Sequence, residues 1–176
     1  MTTYYKLTDQ DNKTANNTLW GEGVTHTAKG RGKELCSADV IHVYAHPLLS
    51  VLFNPIHADI QNPKLWECQT TQVVNQDAFK IGVKSCTTTK EIPLPRITME
   101  QRASFAIRCA KLVNRDKKWN KWADDWLSGK DRTYVAADAA GAAAADAADA
   151  AARAAGAAAR AAIDFVAIIK EVIEVK

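Results

Sequence analysis

The stretch DVIHVYAHPLLSVLFN, residues 39–54, changes its period halfway along. Its first half alternates. Val40, His42 and Tyr44 share one face, and Ile41 and Val43 the other, as a half-buried strand requires. Its second half opens on Pro47, whose fixed φ suits the first turn of a helix, and continues with the apolar run PLLSVLFN. Pro55 lacks the N–H that a continuing helix would use, so the helix is expected to end there. A strand feeding directly into a short helix puts both elements in one domain and sets the expected class as α+β.

Working outward, the preceding residues read as strand and turn. Tyr4 to Leu7 suits a short strand, and TDQDNKTANN is a polar turn region rich in Asp and Asn. TLWGEGVTHT reads as a second strand, with Gly21 and Gly23 marking a bulge or a close backbone approach. AKGRGKELCS is a loop by its glycines. Downstream, LWECQTTQVV, FKIGVKSC and TTKEIPL read as three further strands, giving a curved or partly closed, mostly antiparallel sheet with one short helix over residues 1–96. This is the expected ligand-binding domain.

After Pro95 the pattern turns helical, and residues 97–176 are read as a helical region for packing and oligomerisation, with helices over 97–117, 118–128 and 131–175. Thr98 followed by Gln101 fits a capping box. Trp119, Trp122 and Trp126 project from one side of the second helix, which Ser128 and Gly129 stop. In the third, nearly every residue from Ala136 to Ala162 is alanine, the strongest helix former. At 100° per residue, Asp138, Asp146, Asp149, Arg153, Gly156 and Arg160 fall in one stripe roughly 80° wide. Asp164, Glu171 and Glu174 extend it. A helix of this length would run about 60 Å, with alanine over most of its circumference. Two arrangements cover such a helix: it breaks near Gly141 or Gly156 and folds back, or it packs against other subunits. The second is the favoured expectation, a homo-oligomer packed through residues 131–175.

The chain has 176 residues, a formal net charge of +3 and 47% hydrophobic residues. A mild positive balance permits an anionic partner without demanding nucleic acid. The start, MTTYYKLTDQ, lacks the pattern of a secretory signal, and no stretch has the large apolar residues of a membrane span. A cytoplasmic protein, without a membrane partner, is expected. Four scattered cysteines without a C-x-x-C pair read as reduced and mostly buried. No metal site, cofactor motif or catalytic signature is present in the sequence.

The candidate ligand-binding residues fall in three places. THTAKGRGKE sets His26, Lys29, Arg31 and Lys33 around two glycines, a composition that can hold a phosphate through turned-in N–H groups and added charge. Trp20, His42 and Tyr44 can meet a base or a ribose. Arg108, Lys111, Arg115 and Lys118, spaced along one face of the first long helix, add a cationic surface on which Arg108 and Lys111 are the candidates. The ligand these residues suit is small and anionic or nucleotide-like.

LWGEG, LCSADVIHVYAHPLLSVLFNPIHA, KLWECQ and KIGVKSCTTTKEIPLP, followed by WADDWLSGKDRTYVAADAA, resemble a family of uncharacterised phage and bacterial proteins. These pair an N-terminal domain of unknown function with an alanine-rich helical tail. The resemblance implies a phage-type role, in a bacterial host cell, such as sequestering a host immune signal without catalysis. A looser similarity, through HVY, LWECQ and KEIPLP, runs to ADP-ribosyltransferase-like folds. It implies an alternative as an enzyme acting on NAD, with Lys6 at the early basic position, Tyr44 as the tyrosine and Glu67 or Glu91 as the glutamate. A structural or protein-binding oligomer is the third reading.

Overall fold

A computed structural model describes residues 2–70, 72–77, 79–132 and 163–174. The fold is α+β, with antiparallel strands followed by helices. The chain divides into two compact units, Met1–Arg96 and Ile97–Lys176.

In the first unit the strands are β1 (Tyr4–Thr8), β2 (Lys13–Thr14), β3 (Thr18–Leu19), β4 (Thr25–Thr27), β5 (Ile41–Val43), β6 (Lys64–Gln69), β7 (Val73–Gln76), β8 (Ile81–Val83) and β9 (Ser85–Ile92). They form three antiparallel sheets, ordered β1-β6-β9-β4, β2-β3 and β5-β8-β7. A single antiparallel bridge joins the first sheet to the end of β5. Tyr5 N–H donates to Tyr44 O at 2.9 Å, and Tyr44 N–H donates to Tyr5 O at 2.8 Å. Trp20, Val43, Cys68, Val83 and Cys86 make a core cluster to which both larger sheets contribute. Three segments expected as single strands are each divided, among them FKIGVKSC, which gives β8 and the start of β9. TLWGEGVTHT gives β3 and β4, with a turn at Gly23 (φ 73°) between them. LWECQTTQVV gives β6 and β7, which pair in different sheets.

Helix α1 (Pro47–His57) begins where Pro47 predicts, but it runs through Pro55. Asn54 accounts for the difference. Its carbonyl accepts from Ala58 N–H at 3.0 Å and Asp59 N–H at 2.7 Å. Its side chain closes a two-way link to Ile60, donating to the carbonyl at 2.8 Å and accepting from N–H at 3.1 Å. The helix end is thus fixed by a buried side chain three residues before it. His46 is the N-cap of α1, its Nδ1 accepting from Leu48 N–H at 3.2 Å, and not a strand residue as the alternation suggested.

The second unit holds α2 (Met99–Val113), α3 (Lys117–Leu127) and α4 (Phe165–Glu174). Thr98 and Gln101 form the full capping box. The first helix stops at Val113 rather than continuing to residue 117, because Asp116 caps a new one through Lys118 N–H (2.8 Å) and Trp119 N–H (2.9 Å). Arg115 therefore lies in the connection and Lys118 on α3, which breaks up the four-cation face expected on one helix. Ile107, Ala123 and Trp126 are buried together, with Trp119 and Trp122 packed against them.

Helix α4 packs on α2, burying Phe165, Ile169 and Val172. It has its own start: Ile163 and Asp164 are not helical, and Asp164 Oδ1 accepts from Ala167 N–H at 2.9 Å. The helix expected over 131–175 is therefore not continuous at this point. The alanine tract, with its wet stripe and its expected oligomer surface, lies outside the described residues.

Helix α3 ends in a Schellman motif. Gly129 sits at φ 76°, its N–H donates to Trp126 O (3.0 Å), and Lys130 N–H donates to Asp125 O (2.9 Å). A Cβ at Gly129 would meet only ordinary contacts, the nearest being Arg132 at 3.8 Å. The expected cost of Gly129→Ala is therefore that of the left-handed backbone alone, about 1–2 kcal/mol. Urea denaturation measures it, and an unchanged midpoint would contradict the assignment.

Candidate functional site

Strand β1 carries Lys6 in the sequence YYKLT, where Lys6, Leu7 and Thr8 are buried in succession. A strand covered on both faces buries its lysine together with its leucine. After β1 the chain turns through Asn12, Asn16 and Asn17, all at positive φ, which asparagine tolerates better than most residues. The β2–β3 hairpin so formed delivers Trp20. Its backbone N–H donates to Asn12 O (2.7 Å) and its Nε1 to Thr14 Oγ1 (2.9 Å).

Trp20 is only 3% exposed, so it forms a wall of the site rather than an open stacking surface. Lys6 Nζ stands 4.6 Å from its ring centroid. His26 meets it edge-on at 4.6 Å, with Nε2 donating to Leu19 O at 2.7 Å. Lys6 also donates to His42 O at 3.2 Å, and among the described residues no carboxylate pairs with it. Burial lowers the Lys6 pKa, against a smaller opposing pull from the neighbouring Cys86 and Cys68.

Strand β5 supplies His42, and Tyr44 follows it. Burial is the main reason that the pKa of His42 falls to about 4, assisted by Lys80, Lys6 and His57. The ring is therefore neutral. Its Nε2 accepts from Cys36 N–H at 3.0 Å, which leaves the proton on Nδ1. Tyr44 Oη lies 2.9 Å from His57 Nδ1 at the end of α1, and the two rings stack at 5.9 Å. Burial raises the phenol pKa and lowers that of His57. The pair is thus neutral, with the tyrosine donating.

The glycine loop is arranged differently from a phosphate cradle. Asp39 fills it: Oδ1 accepts from Gly32 N–H (3.0 Å) and Oδ2 from Glu34 N–H (3.3 Å). A Cβ on Gly30 or Gly32 would collide with the Asp39 carboxylate. Lys84 then gathers the carbonyls of Gly30, Gly32 and Asp39 within 2.7–3.1 Å. The turned-in amides already hold an anion of the chain's own.

These elements surround a cavity of about 1040 Å³ in the first unit. Of the residues singled out in the sequence, Trp20, His26, Lys29, His42 and Tyr44 line it, and Arg31 and Lys33 do not. Arg108 and Lys111 belong to the second unit, where each has a carboxylate partner, Glu171 at 3.2 Å and Asp124 respectively. The lining also includes Lys6, which the sequence marked only as the early basic position of the looser resemblance, and His57 and Lys80. The signal for Lys6 was a lone cation inside an apolar strand. No such signal marks Lys80 or His57, which the tertiary fold brings in. Among the described residues the lining contains three lysines and no Asp or Glu; Glu67 and Glu91 are both outside it.

Among the described residues no group of three His, Cys, Asp or Glu side chains is placed to hold a metal ion, and no helix is long and apolar enough to cross a membrane. The chain matches no family model, no curated protein and no solved structure.

The histidines give the cavity a pH signature. A folded pKa of about 4 for His42 against roughly 6.5 in the unfolded chain means that the unfolded state takes up the proton first. Stability is then complete above about pH 6.5 and declines as pH falls toward 4. Replacing His42→Gln is expected to flatten the fall of the urea midpoint across that window. Equal slopes for the two proteins would contradict a neutral, buried His42.

Proposed function

We propose that the chain is a non-enzymatic binding protein that captures a small anionic or nucleotide-like ligand in the cavity of its first unit. One observation carries this reading: the cavity is lined by Lys6, Lys29 and Lys80 and by no carboxylate. Such a lining attracts an anion. The nearby carboxylate of Asp77 stands outside it, accepting from Lys80 N–H at 2.8 Å and acting on His42, Tyr44 and His57. Its volume suits a nucleotide-sized molecule, and its mixed apolar and polar walls are those of a small-molecule site. Lys29 and Lys80 are the cations that meet the anionic group. The Nδ1–H of His42 and the Tyr44–His57 pair supply polar contacts for the rest of the ligand.

In this proposal the protein is of phage type and acts as a sponge, removing a host immune signal without changing it. It assembles as a homo-oligomer through residues 131–175. A transferase acting on NAD is the alternative. Lys6 and Tyr44 line the cavity as that reading asks, but a glutamate does not, so binding is placed ahead of catalysis.

Ligand screening, a double variant and native mass test the proposal. A panel of nucleotides and inorganic phosphate is screened by thermal melting, and the bound species is then released by denaturation. A ligand at a hundred times its Kd stabilises the folded state by about 2.7 kcal/mol, a rise of several degrees in Tm. It should be released chemically intact, whereas altered products would favour the transferase. Removing Lys29 and Lys80 together should weaken binding by at least about tenfold. Native mass spectrometry addresses the assembly, and a monomer at micromolar concentration would end the oligomer proposal.

A further inference from the structure

We propose that Lys6 is a covalent capture site: its amine adds to the aldehyde or ketone carbon of a small anionic ligand in the cavity and holds it as an imine. The inference rests on the anionic-ligand reading above and names the functional group that such a ligand would carry.

The case begins with burial. Lysine is almost never fully buried unless it is paired, yet Lys6 is 8% exposed. Its partners are the main-chain carbonyl of His42 and the face of Trp20, and neither carries a full negative charge. An ammonium ion in such a place has lost most of its hydration and gained one carbonyl, one ring and a smaller pull from the Cys86 and Cys68 thiols, so the balance shifts toward the free amine. The pKa shift has the same direction, with desolvation as its largest cause. A lysine without its proton is a nucleophile, which is how desolvated lysines form Schiff bases with carbonyl substrates.

Burial alone would describe an ordinary core residue. Lys6 differs because it is among the residues that line the cavity, together with Lys29 and Lys80. An anionic group drawn to those two lysines would bring a carbonyl on the same molecule toward the amine. The lining has no carboxylate to return a proton to Lys6 or to pair with it. The hydrogen bond to His42 O fixes one N–H, which helps to orient the amine.

The chemistry needs no oxidant or reductant. The Nζ lone pair forms a bond to the carbonyl carbon while the π pair of the C=O moves to oxygen. A proton passes from nitrogen to that oxygen, giving a neutral carbinolamine. Loss of the hydroxyl group with the remaining N–H proton then releases water and leaves C=N. The sum is amine plus carbonyl to imine plus water. Neutral His42, with its proton on Nδ1, and the Tyr44–His57 hydrogen bond line the same cavity and are suited to moving these protons.

The test uses the full chain, with pyridoxal 5′-phosphate as an aldehyde that carries a phosphate. Protein and probe are mixed in equal amounts, reduced with borohydride, digested and mapped by mass. The expected result is more reduced adduct on the Lys6 peptide than on any other lysine, with loss of that adduct in Lys6→Arg. The mapping on the unaltered protein decides the matter even if the variant does not fold. A folded protein labelled on other lysines and not on Lys6 overturns the proposal. Inorganic phosphate separates the two readings. If it raises Tm while Lys6 stays unlabelled, capture is overturned and the anion cavity stands. If Lys6 is labelled but phosphate neither competes nor raises Tm, the anionic part is overturned.

Discussion

The first unit depends on one pair of backbone hydrogen bonds, the reciprocal link between Tyr5 and Tyr44. It is a single bridge outside the named strands. Through it, β1 belongs to the four-stranded sheet and also touches the end of β5, which belongs to the three-stranded one. Because side chains alternate along a strand, this one register sets what stands next to what. Lys6 follows Tyr5, so its amine reaches the carbonyl of His42, two residues before Tyr44. Trp20 then closes over the amine from the hairpin. A slip of one residue would turn every side chain of β1 to the other face of the pair.

Within this frame charge is handled in two ways. In the glycine loop, Asp39 provides the anion and Lys84 ties down the carbonyls, so the segment is closed upon itself. In the cavity the lysines have no such companion among the lining residues. Two neighbouring basic regions thus have opposite consequences. One spends its charge on local structure, and the other leaves it directed at a space of molecular size. The difference lies in where the carboxylate stands: Asp39 fills the loop, whereas Asp77 binds Lys80 N–H from outside the cavity lining.

That difference explains what could be read from the sequence. The α+β class, the capping box at Thr98, the start of α1 at Pro47 and the buried tryptophan side of α3 each rest on local pattern, and local pattern is what a sequence displays. Pro55 misled because the helix end is governed by Asn54 acting on Ile60, a contact between side chain and backbone across six residues. LWECQTTQVV reads as one strand because its apolar content continues, whereas the pairing partners change between Gln69 and Val73. At the site, Trp20, His26, Lys29, His42 and Tyr44 were visible as residue types near one another in the chain. Lys80 lies 44 residues from its neighbour Cys36 and 38 from His42, and only tertiary structure joins them. Arg108 and Lys111 were read as free cations, but their carboxylate partners stand 63 and 13 residues away.

The cap at Asp164 has an evolutionary consequence. A helix that begins on its own N-cap takes its rotational phase from that residue. The face of α4 bearing Phe165, Ile169 and Val172 is therefore set by the local sequence of its ten residues and not by counting back through the alanines. Residues could be gained or lost upstream in any number, including numbers that are not multiples of a helical turn, without rotating that face away from α2. A phase reset immediately after the alanines would let the tract differ in length while the packing of Phe165, Ile169 and Val172 on α2 stays the same.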